Sequence, residues 1–218
     1  MRGLSLTAAA LVVAAVITVP VLAATAWAPV GTDSTPRLAA ASEQLAGAAG
    51  VSVTIPDCFP DITGTVDSVT TVTSPLGVGG TTSTDLDQFA REFNAIRVAH
   101  CLPPIGLANF HYDSCMETRL FWMAEDPSTD PASAWGHLGT SRSDGLASAG
   151  CDGNLAGGKS NTPAIVAQKW WDSVPHRATL YRPDDAIGGV CIYFAMTHGG
   201  VPNEARDFVR AAARWDQC

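Results

Sequence analysis

The chain has 218 residues, enough for one ordinary domain with extensions, and 46% of them are hydrophobic. Its formal net charge at pH 7 is −8, and the Lys and Arg residues form no cluster along the sequence. This charge balance argues against a broad electrostatic surface for nucleic acid or anionic lipid, so no nucleic-acid partner is expected.

The first 26 residues have the pattern of a secretory signal peptide. Arg2 precedes an apolar run over residues 8–24, and Ala-Thr-Ala at residues 24–26 places small side chains where signal peptidase recognises them. Thr18 and Pro20 interrupt the run, which is shorter than the roughly 20 apolar residues of a membrane span. We therefore predict cleavage after residue 26, a secreted protein and no retained membrane span.

Cysteine usage agrees with export. Six cysteines lie along the chain without the close spacing of zinc fingers or redox motifs: Cys58, Cys101, Cys115, Cys151, Cys191 and Cys218. In an oxidising compartment they are expected to form up to three disulfides, and the sequence leaves their pairing open.

Residues 27–84 are rich in Ser, Thr, Gly and Ala, a composition typical of a linker. Cys58 is the exception, because a disulfide from this residue would tie the segment to the domain downstream. Its partner cysteine is undetermined. The domain itself is predicted over residues 85–218.

The first two helices are predicted from caps and apolar periodicity. The first is capped by Ser83 or Thr84 and ends before Pro103. The second starts at Asp113 and Ser114 and carries apolar side chains on one face. A long loop, from residue 126 to about residue 161, follows it, and a loop of this length inside a domain is usually functional or tied by a disulfide.

A third helix has Thr162 as its cap and Pro163 at its first position, and Pro175 is expected to end it. Residues 187–196 are β-branched and aromatic, which predicts a strand followed by a turn at residues 198–200. The last segment fits a helix and a strand equally well, because alanine suits both periodicities.

Short motifs follow one another in order between residue 85 and about residue 195: Asn94-x-x-Arg97, Leu102-Pro103-Pro104-Ile105, an apolar helix ending in Met123, a lone His137, Gly153-Asn154-Leu155-Ala156, Trp170-x-x-Ser173-x-x-His176-Arg177 and Ile187-Gly188. This ordered set resembles the CAP superfamily (cysteine-rich secretory proteins, antigen 5 and pathogenesis-related proteins) in its bacterial, SCP-like extracellular form. The resemblance implies an α+β fold, a three-layer α-β-α sandwich with a small antiparallel sheet. It also implies that the last segment is a strand paired with residues 187–196.

The open cleft of that family gathers two histidines and acidic residues, and in some members it binds a divalent cation. By resemblance, His137 and His176 are the two histidines, whereas the family's glutamate falls on Gly153. Asp152 is adjacent, but its side chain leaves the backbone in a different direction and is shorter. The full set of candidate cleft residues is His137, His176, Asp152, Asn154, Trp135 and Ser173.

Each chemical interpretation has a simpler alternative. His137, His176 and Asp152 would form an open zinc-type site only if the loop turned the carboxylate inward. The favoured interpretation is that both imidazoles line a polar cleft without a cation. Ser173 and His176 are close enough for a nucleophile–base pair, but no Gly-x-Ser-x-Gly turn presents the serine. Hydrogen bonding of both side chains at a helix terminus is favoured there.

Two further expectations concern aromatic and polar residues. Trp170 is expected in the core, and Trp135 beside His137 is the better candidate for a cleft-lining ring. Asn94 and Arg97 are expected to make buried hydrogen bonds that attach the first helix to neighbouring loops.

We predict a secreted protein that acts by binding an extracellular ligand, a lipid or cell-envelope component, through a His-lined cleft and without a cofactor. The alternative is a metal-dependent or serine-type hydrolase acting on envelope peptide or glycan, with zinc as the cation. That alternative needs Asp152 or another carboxylate to point into the cleft.

Overall fold

The computed structural model describes residues 58–59, 62–200 and 204–218, with the side chains of residues 204–206 left out. The predicted signal peptide and its cleavage position lie outside these residues. Helices and a four-stranded sheet make the described chain α+β, as predicted. None of the helices described here combines the length and apolar character needed to cross a membrane.

The helices of the described chain are α1 (Ser83–Ala99), α2 (Ser114–Ala124), α3 (Pro163–Asp172) and the short α4 (Val174–His176), which continues into a π-helical turn (Arg177–Tyr181). Thr162 caps α3, which confirms that predicted cap, and α2 begins at the predicted Asp113-Ser114, with Asp113 as its cap. The cap of α1 is Thr82, one residue earlier than predicted. Asp85 explains the difference, because its carboxylate accepts the Thr82 N–H and completes a capping box.

The strands are β1 (Phe110–Tyr112), β2 (Asn154–Lys159), β3 (Val190–Gly200) and β4 (Glu204–Gln217), in the spatial order β1-β3-β4-β2. β4 pairs antiparallel with both β2 and β3, whereas β1 pairs parallel with β3. The sheet is therefore mixed, where the resemblance implied an antiparallel one. A parallel pair is possible here because α2, β2 and α3 all lie between β1 and β3 along the chain.

Different helices cover the two faces of the sheet. On one face α1 and α3 bury Phe89, Phe93 and Trp170 against sheet residues such as Phe110 and Phe194. On the other face α2 packs against the opposite side chains of the same strands; its buried cluster contains Met116, Leu120, Met123, Leu155, Ala195 and Ala212. The prediction that Trp170 belongs to the core is confirmed, because its side chain is fully buried.

The final segment is a strand, as the resemblance implied. Ala211 and Ala213 face the α1–α3 side, whereas Ala212 faces α2. Alternate residues therefore point to opposite faces, as in any strand, and both faces are buried. Small side chains on both faces explain why periodicity alone did not separate helix from strand.

Three local predictions are wrong. Residues 198–200 are not a turn but the end of β3, because His198 and Gly79 exchange backbone hydrogen bonds that keep this stretch extended. The loop predicted from residue 126 to about residue 161 contains β2, whose glycines concealed it. Pro175 does not end α3, which stops at Asp172; Pro175 lies in the first turn of α4, where no N–H is needed.

Three disulfides join Cys58 to Cys101, Cys115 to Cys151 and Cys191 to Cys218. The segment before α1 also contacts the sheet. The buried Thr81 hydroxyl exchanges hydrogen bonds of 3.0 and 2.9 Å with the carbonyl and N–H of Met196 on β3. Residues 58–59 and 62–82 belong to the stretch predicted as linker-like, and these contacts attach its last part to the domain.

Candidate functional site

A histidine–aspartate pair lies at the start of β2. His137 Nδ1 is 2.7 Å from Asp152 Oδ1, and the Leu138 N–H donates to the other carboxylate oxygen at 3.2 Å. Gly153 adds a third donor to the carboxylate at 3.0 Å. With Nδ1 engaged, the ring is oriented by the carboxylate, and Nε2 is the nitrogen left to meet a ligand or a proton.

The pair is open to solvent. The His137 side chain is 62% exposed and that of Asp152 is 37% exposed. Partial burial raises the pKa of Asp152, but the hydrogen bonds from His137, Gly153 and Leu138 outweigh it and hold the pKa below 3.8. Asp152 is therefore ionised at neutral pH and accepts hydrogen bonds rather than donating one.

Buried Arg119 of α2 holds the loop that carries His137. Its Nη2 donates to the carbonyls of Gly136 and His137, both at 2.7 Å, and its Nη1 donates to the Ser148 hydroxyl at 2.6 Å. The guanidinium also stacks on the Trp122 ring, 4.3 Å from its centroid. Because the Arg119 guanidinium contacts the loop at several points, it fixes the backbone position of His137.

The disulfide between Cys115 and Cys151 fixes the other half of the pair. It joins the first turn of α2 to the residue directly before Asp152, and the Cys151 N–H donates to the Cys115 carbonyl at 2.9 Å. His137 and Asp152 are thus both anchored to α2, the first through Arg119 and the second through a covalent bond.

His176 of α4 is the second predicted histidine. Partial burial lowers its pKa below 6.5, and the positive charge of His137 lowers it further. At neutral pH the His176 ring is therefore predominantly neutral.

Asn154 joins the strand to the π-helical turn. Its Nδ2 donates to the Ala213 carbonyl at 3.1 Å, and its Oδ1 accepts the Thr179 hydroxyl at 2.6 Å. Thr179 follows His176 by three residues, so this contact holds the turn after α4 against the start of β2. The contacts of Asn154 therefore position the second histidine.

Packing accounts for the glycine at position 153. A Cβ added to Gly153 would lie 2.8 Å from Met116 Sδ and 3.1 Å from the Ala213 carbonyl oxygen. A side chain here would require Met116 and the adjacent backbone of β4 to shift. A glutamate at this position would therefore disturb the packing of α2 against β4, and the carboxylate in contact with His137 comes from Asp152 instead.

The remaining predicted site residues lie elsewhere or make other contacts. Ser173 is the residue between α3 and α4, and among the described contacts its hydroxyl neither caps α4 nor bonds to His176. Trp135 lies against Gly157 of β2, with 2.9 Å between Cη2 and an added Gly157 Cβ, and against the Arg210 guanidinium. These contacts place its ring beside the middle of β2 rather than at the histidine pair.

The predicted structural roles of two α1 residues are confirmed. Asn94 donates to and accepts from the backbone of Ile105, at 2.7 and 2.8 Å. Buried Arg97 donates to the carbonyls of Pro103 and Tyr181 at 2.8 and 2.5 Å. Both side chains attach α1 to its neighbouring loops.

The donor set that the sequence predicts for a cation is the two imidazoles of His137 and His176. One oxygen of Asp152 contacts His137 and Gly153, and the other accepts the Leu138 N–H. The carboxylate therefore lies on the Nδ1 side of the His137 ring, where it orients the ring and does not itself contact a cation. Within residues 58–59, 62–200 and 204–218, no three His, Cys, Asp or Glu side chains are grouped to hold a metal ion. His137 and His176 as metal ligands remain a prediction.

Sequence reasoning missed Arg119 and Thr179. A signal for Arg119 was present, because a charged residue in the middle of the apolar α2 helix needs buried partners. Thr179 offered no comparable signal, since its contact with Asn154 depends on the π-helical turn. Comparison with known proteins adds no further residue, because no family model, curated protein or solved structure matches this chain.

Proposed function

We propose that the protein is secreted and acts by binding an extracellular ligand of the lipid or cell-envelope class at the groove formed by His137, Asp152 and His176. Membership of the CAP superfamily, with its α-β-α sandwich, is part of this proposal. It is supported by the ordered motifs and by helices on both faces of the sheet.

The observation that carries the binding proposal is the oriented, exposed pair of His137 and Asp152, whose Nδ1–Oδ1 distance is 2.7 Å. An oriented imidazole presents one nitrogen in a fixed direction, which suits recognition of a hydroxyl or phosphoryl oxygen in a polar head group. His176 adds a second, neutral ring nearby. Arg119 and the Cys115–Cys151 disulfide make the site rigid before any ligand arrives, which lowers the entropy lost on binding.

Secretion is supported by the cysteines. All six form disulfides in the described chain, and such bonds persist in oxidising compartments. The apolar N-terminal segment supports the same conclusion from the sequence.

The experiment uses the full chain expressed in a bacterial host that secretes it. Co-purified molecules are extracted with organic solvent and identified by mass spectrometry. The purified protein is also titrated with vesicles of total host lipid and with cell-wall fragments. We expect a bound species from wild type that is reduced at least about tenfold in the His137→Ala, His176→Ala double variant, because both polar contacts are removed.

His111→Ala is the matched control. His111 is a partly exposed histidine on β1 that pairs with Asp67 at 3.2 Å. Its replacement should leave the bound species unchanged. Equal losses in the control and in the double variant, or no binding to either vesicles or wall fragments by wild type, would contradict the proposal.

A metal-dependent hydrolase acting on envelope peptide or glycan is the second candidate. The observation that favours it is the same carboxylate–imidazole hydrogen bond, which typically orients a zinc-binding histidine. Here Asp152 would hold the ring, while His137 and His176 would supply two nitrogen ligands. Calorimetry with zinc distinguishes the two candidates: this candidate requires binding heat at micromolar zinc that disappears in the double variant, and no heat with wild type removes it.

A further inference from the structure

A concave site lies on the outer strand of the sheet, where the backbone of β2 passes Gly157 and Gly158. It is a pocket of about 300 Å³, and its lining consists of Pro131, Ala132, Trp135, Gly157, Gly158 and Phe208. His137, Asp152 and His176 are not among these residues. Along an extended strand, the three to four residues from Asn154 to the glycines span roughly 10–13 Å.

One buried residue, Arg210, contacts the residues that form the walls of this pocket. Arg210 is 2% exposed, and its guanidinium lies 5.4 Å from the Trp135 ring centroid and 4.9 Å from that of Phe208. Its Nη2 also donates to the Pro131 carbonyl at 3.2 Å. Arg210 therefore fixes the positions of Trp135, Phe208 and Pro131, and the pocket is formed before a ligand enters.

The floor of the pocket is strand backbone, because Gly157 and Gly158 have no side chains. A Cβ at Gly157 would lie 2.9 Å from Trp135 Cη2 and 2.2 Å from the Val209 carbonyl oxygen. Only glycine lets the indole approach the strand this closely, and the ring lies directly against Gly157. The slot open to a ligand is bounded by the Trp135 and Phe208 rings and by the backbone beside them.

A positive charge lies beside the free edge of β2, on Lys169 of α3, which does not line the pocket but contacts the backbone of Gly157, a lining residue. Lys169 Nζ donates to the Gly157 carbonyl at 2.8 Å and lies 3.6 Å from an added Gly158 Cβ. Within the described part of the chain, no carboxylate forms an ion pair with Lys169. Asp207, next to Phe208 on β4, accepts the Ser160 hydroxyl at 2.9 Å.

From the two rings, the bare floor and the cation, we propose that this pocket binds a planar aromatic ring that carries an anionic group. Offset or edge-to-face contacts with Trp135 and Phe208 hold the ring. Arg210 already occupies the π faces of these side chains on their buried side, which disfavours a cationic ligand. The Lys169 ammonium receives the anion. The volume is at the lower end for small-molecule sites and suits one or two fused rings.

The test titrates the full-length protein with 2-naphthoate and follows the indole N–H signal of Trp135 by NMR, assigned with a Trp135→Phe variant. We expect this signal to shift with a Kd between about 10 μM and 1 mM, from the free energy per atom typical of small ligands. Neutral 2-naphthalenemethanol should bind about threefold more weakly, because it lacks the charge. Octanoate and N-acetylglucosamine should not shift the signal at the same concentrations.

The variants Ala132→Phe and Lys169→Gln test the pocket without changing the core. Ala132→Phe adds a ring at an exposed lining position and should reduce naphthoate affinity by about tenfold or more by filling the slot. Ala95→Phe, an equal change at an exposed position of α1, should have no effect. Lys169→Gln should remove the preference for naphthoate over the neutral alcohol.

Each outcome decides the proposal. Binding that persists in Ala132→Phe, an equal response to octanoate, or a preference for the acid that survives Lys169→Gln would overturn it. Loss of binding in both phenylalanine variants would also overturn it, because the pocket would then not be the site. Unchanged binding in the His137→Ala, His176→Ala variant would show that this pocket works independently of the proposed ligand groove.

Discussion

Arg119 illustrates how a single buried side chain determines the geometry of an exposed site. The His137 ring is 62% exposed, yet the backbone that carries it is held by a guanidinium with no exposed surface. His137 therefore depends on a residue with which its ring makes no contact. Substitution of Arg119 should consequently affect both stability and binding.

We predict that Arg119→Met lowers the free energy of unfolding by about 2–3 kcal/mol, because the Gly136 and His137 carbonyls lose a charged donor in a buried place. Urea unfolding measures this loss. At temperatures where the variant is folded, affinity for the ligand proposed to bind at His137 should also fall. Arg91→Met is the control, because Arg91 is an exposed α1 arginine paired with Asp87; it should change neither quantity measurably.

Gly153 is the second residue whose identity follows from packing. We predict that Gly153→Ala lowers stability by about 1–3 kcal/mol, because its Cβ would overpack against Met116 and the Ala213 carbonyl. In a double-mutant cycle, Gly153→Ala combined with Met116→Ala should be less destabilising than the sum of the single changes. Gly106→Ala, where an added Cβ meets nothing within 4 Å, should be close to neutral. Additive effects in the cycle would refute the packing explanation.

At the scale of elements, helix caps were the most predictable feature. The Thr162 cap and the start of α2 at Asp113-Ser114 were identified from the sequence because capping is local, needing only a side-chain oxygen two or three residues from a free N–H. β2 was not predicted, because Gly157 and Gly158 lack the side chains that create a strand pattern. Its pairing with β4 is a contact between segments distant in the chain.

The caps can be tested directly. Thr162 accepts the Ile165 N–H at 3.2 Å, so Thr162→Ala should lower stability by about 1 kcal/mol. Thr118→Ala makes the same change at an exposed interior position of α2, where alanine is the better helix former, and should cause no loss. Thermal unfolding of both variants measures the two stability changes. Equal changes in stability at the two positions would mean that the Thr162 cap contributes nothing.

At the scale of the whole molecule, the candidate site joins elements from both faces of the sheet. His137 comes from the loop after α2, whereas His176 comes from α4 beyond α3, and the start of β2 lies between them. The resemblance predicts both histidines as cleft residues. The pairing of His137 with Asp152 could not be read from spacing, because it depends on how a disulfide and Arg119 place the loop.

Titratable groups with shifted pKa values predict the pH dependence of stability. Burial raises the pKa of Asp126, but hydrogen bonds from the hydroxyl and N–H of Ser143 and the N–H of Ser128 lower it to about 2. Since the unfolded chain binds a proton near pH 3.8, this contribution is complete above that pH and is lost as the pH falls toward 2. His176, whose pKa is lowered by burial, is neutral in the fold, so stability also decreases as the pH falls below 6.5.

We therefore expect stability to fall in two steps, first below pH 6.5 and then below pH 4, in urea unfolding measured from about pH 7.5 to pH 2. Asp126→Asn should reduce the acidic step, to which Asp85, Asp144 and Asp152 also contribute through their lowered pKa values, and should leave the first step unchanged. His176→Gln should flatten only the first, because glutamine does not titrate. A first step that persists in His176→Gln would assign it to another group and remove the evidence that burial keeps this histidine neutral.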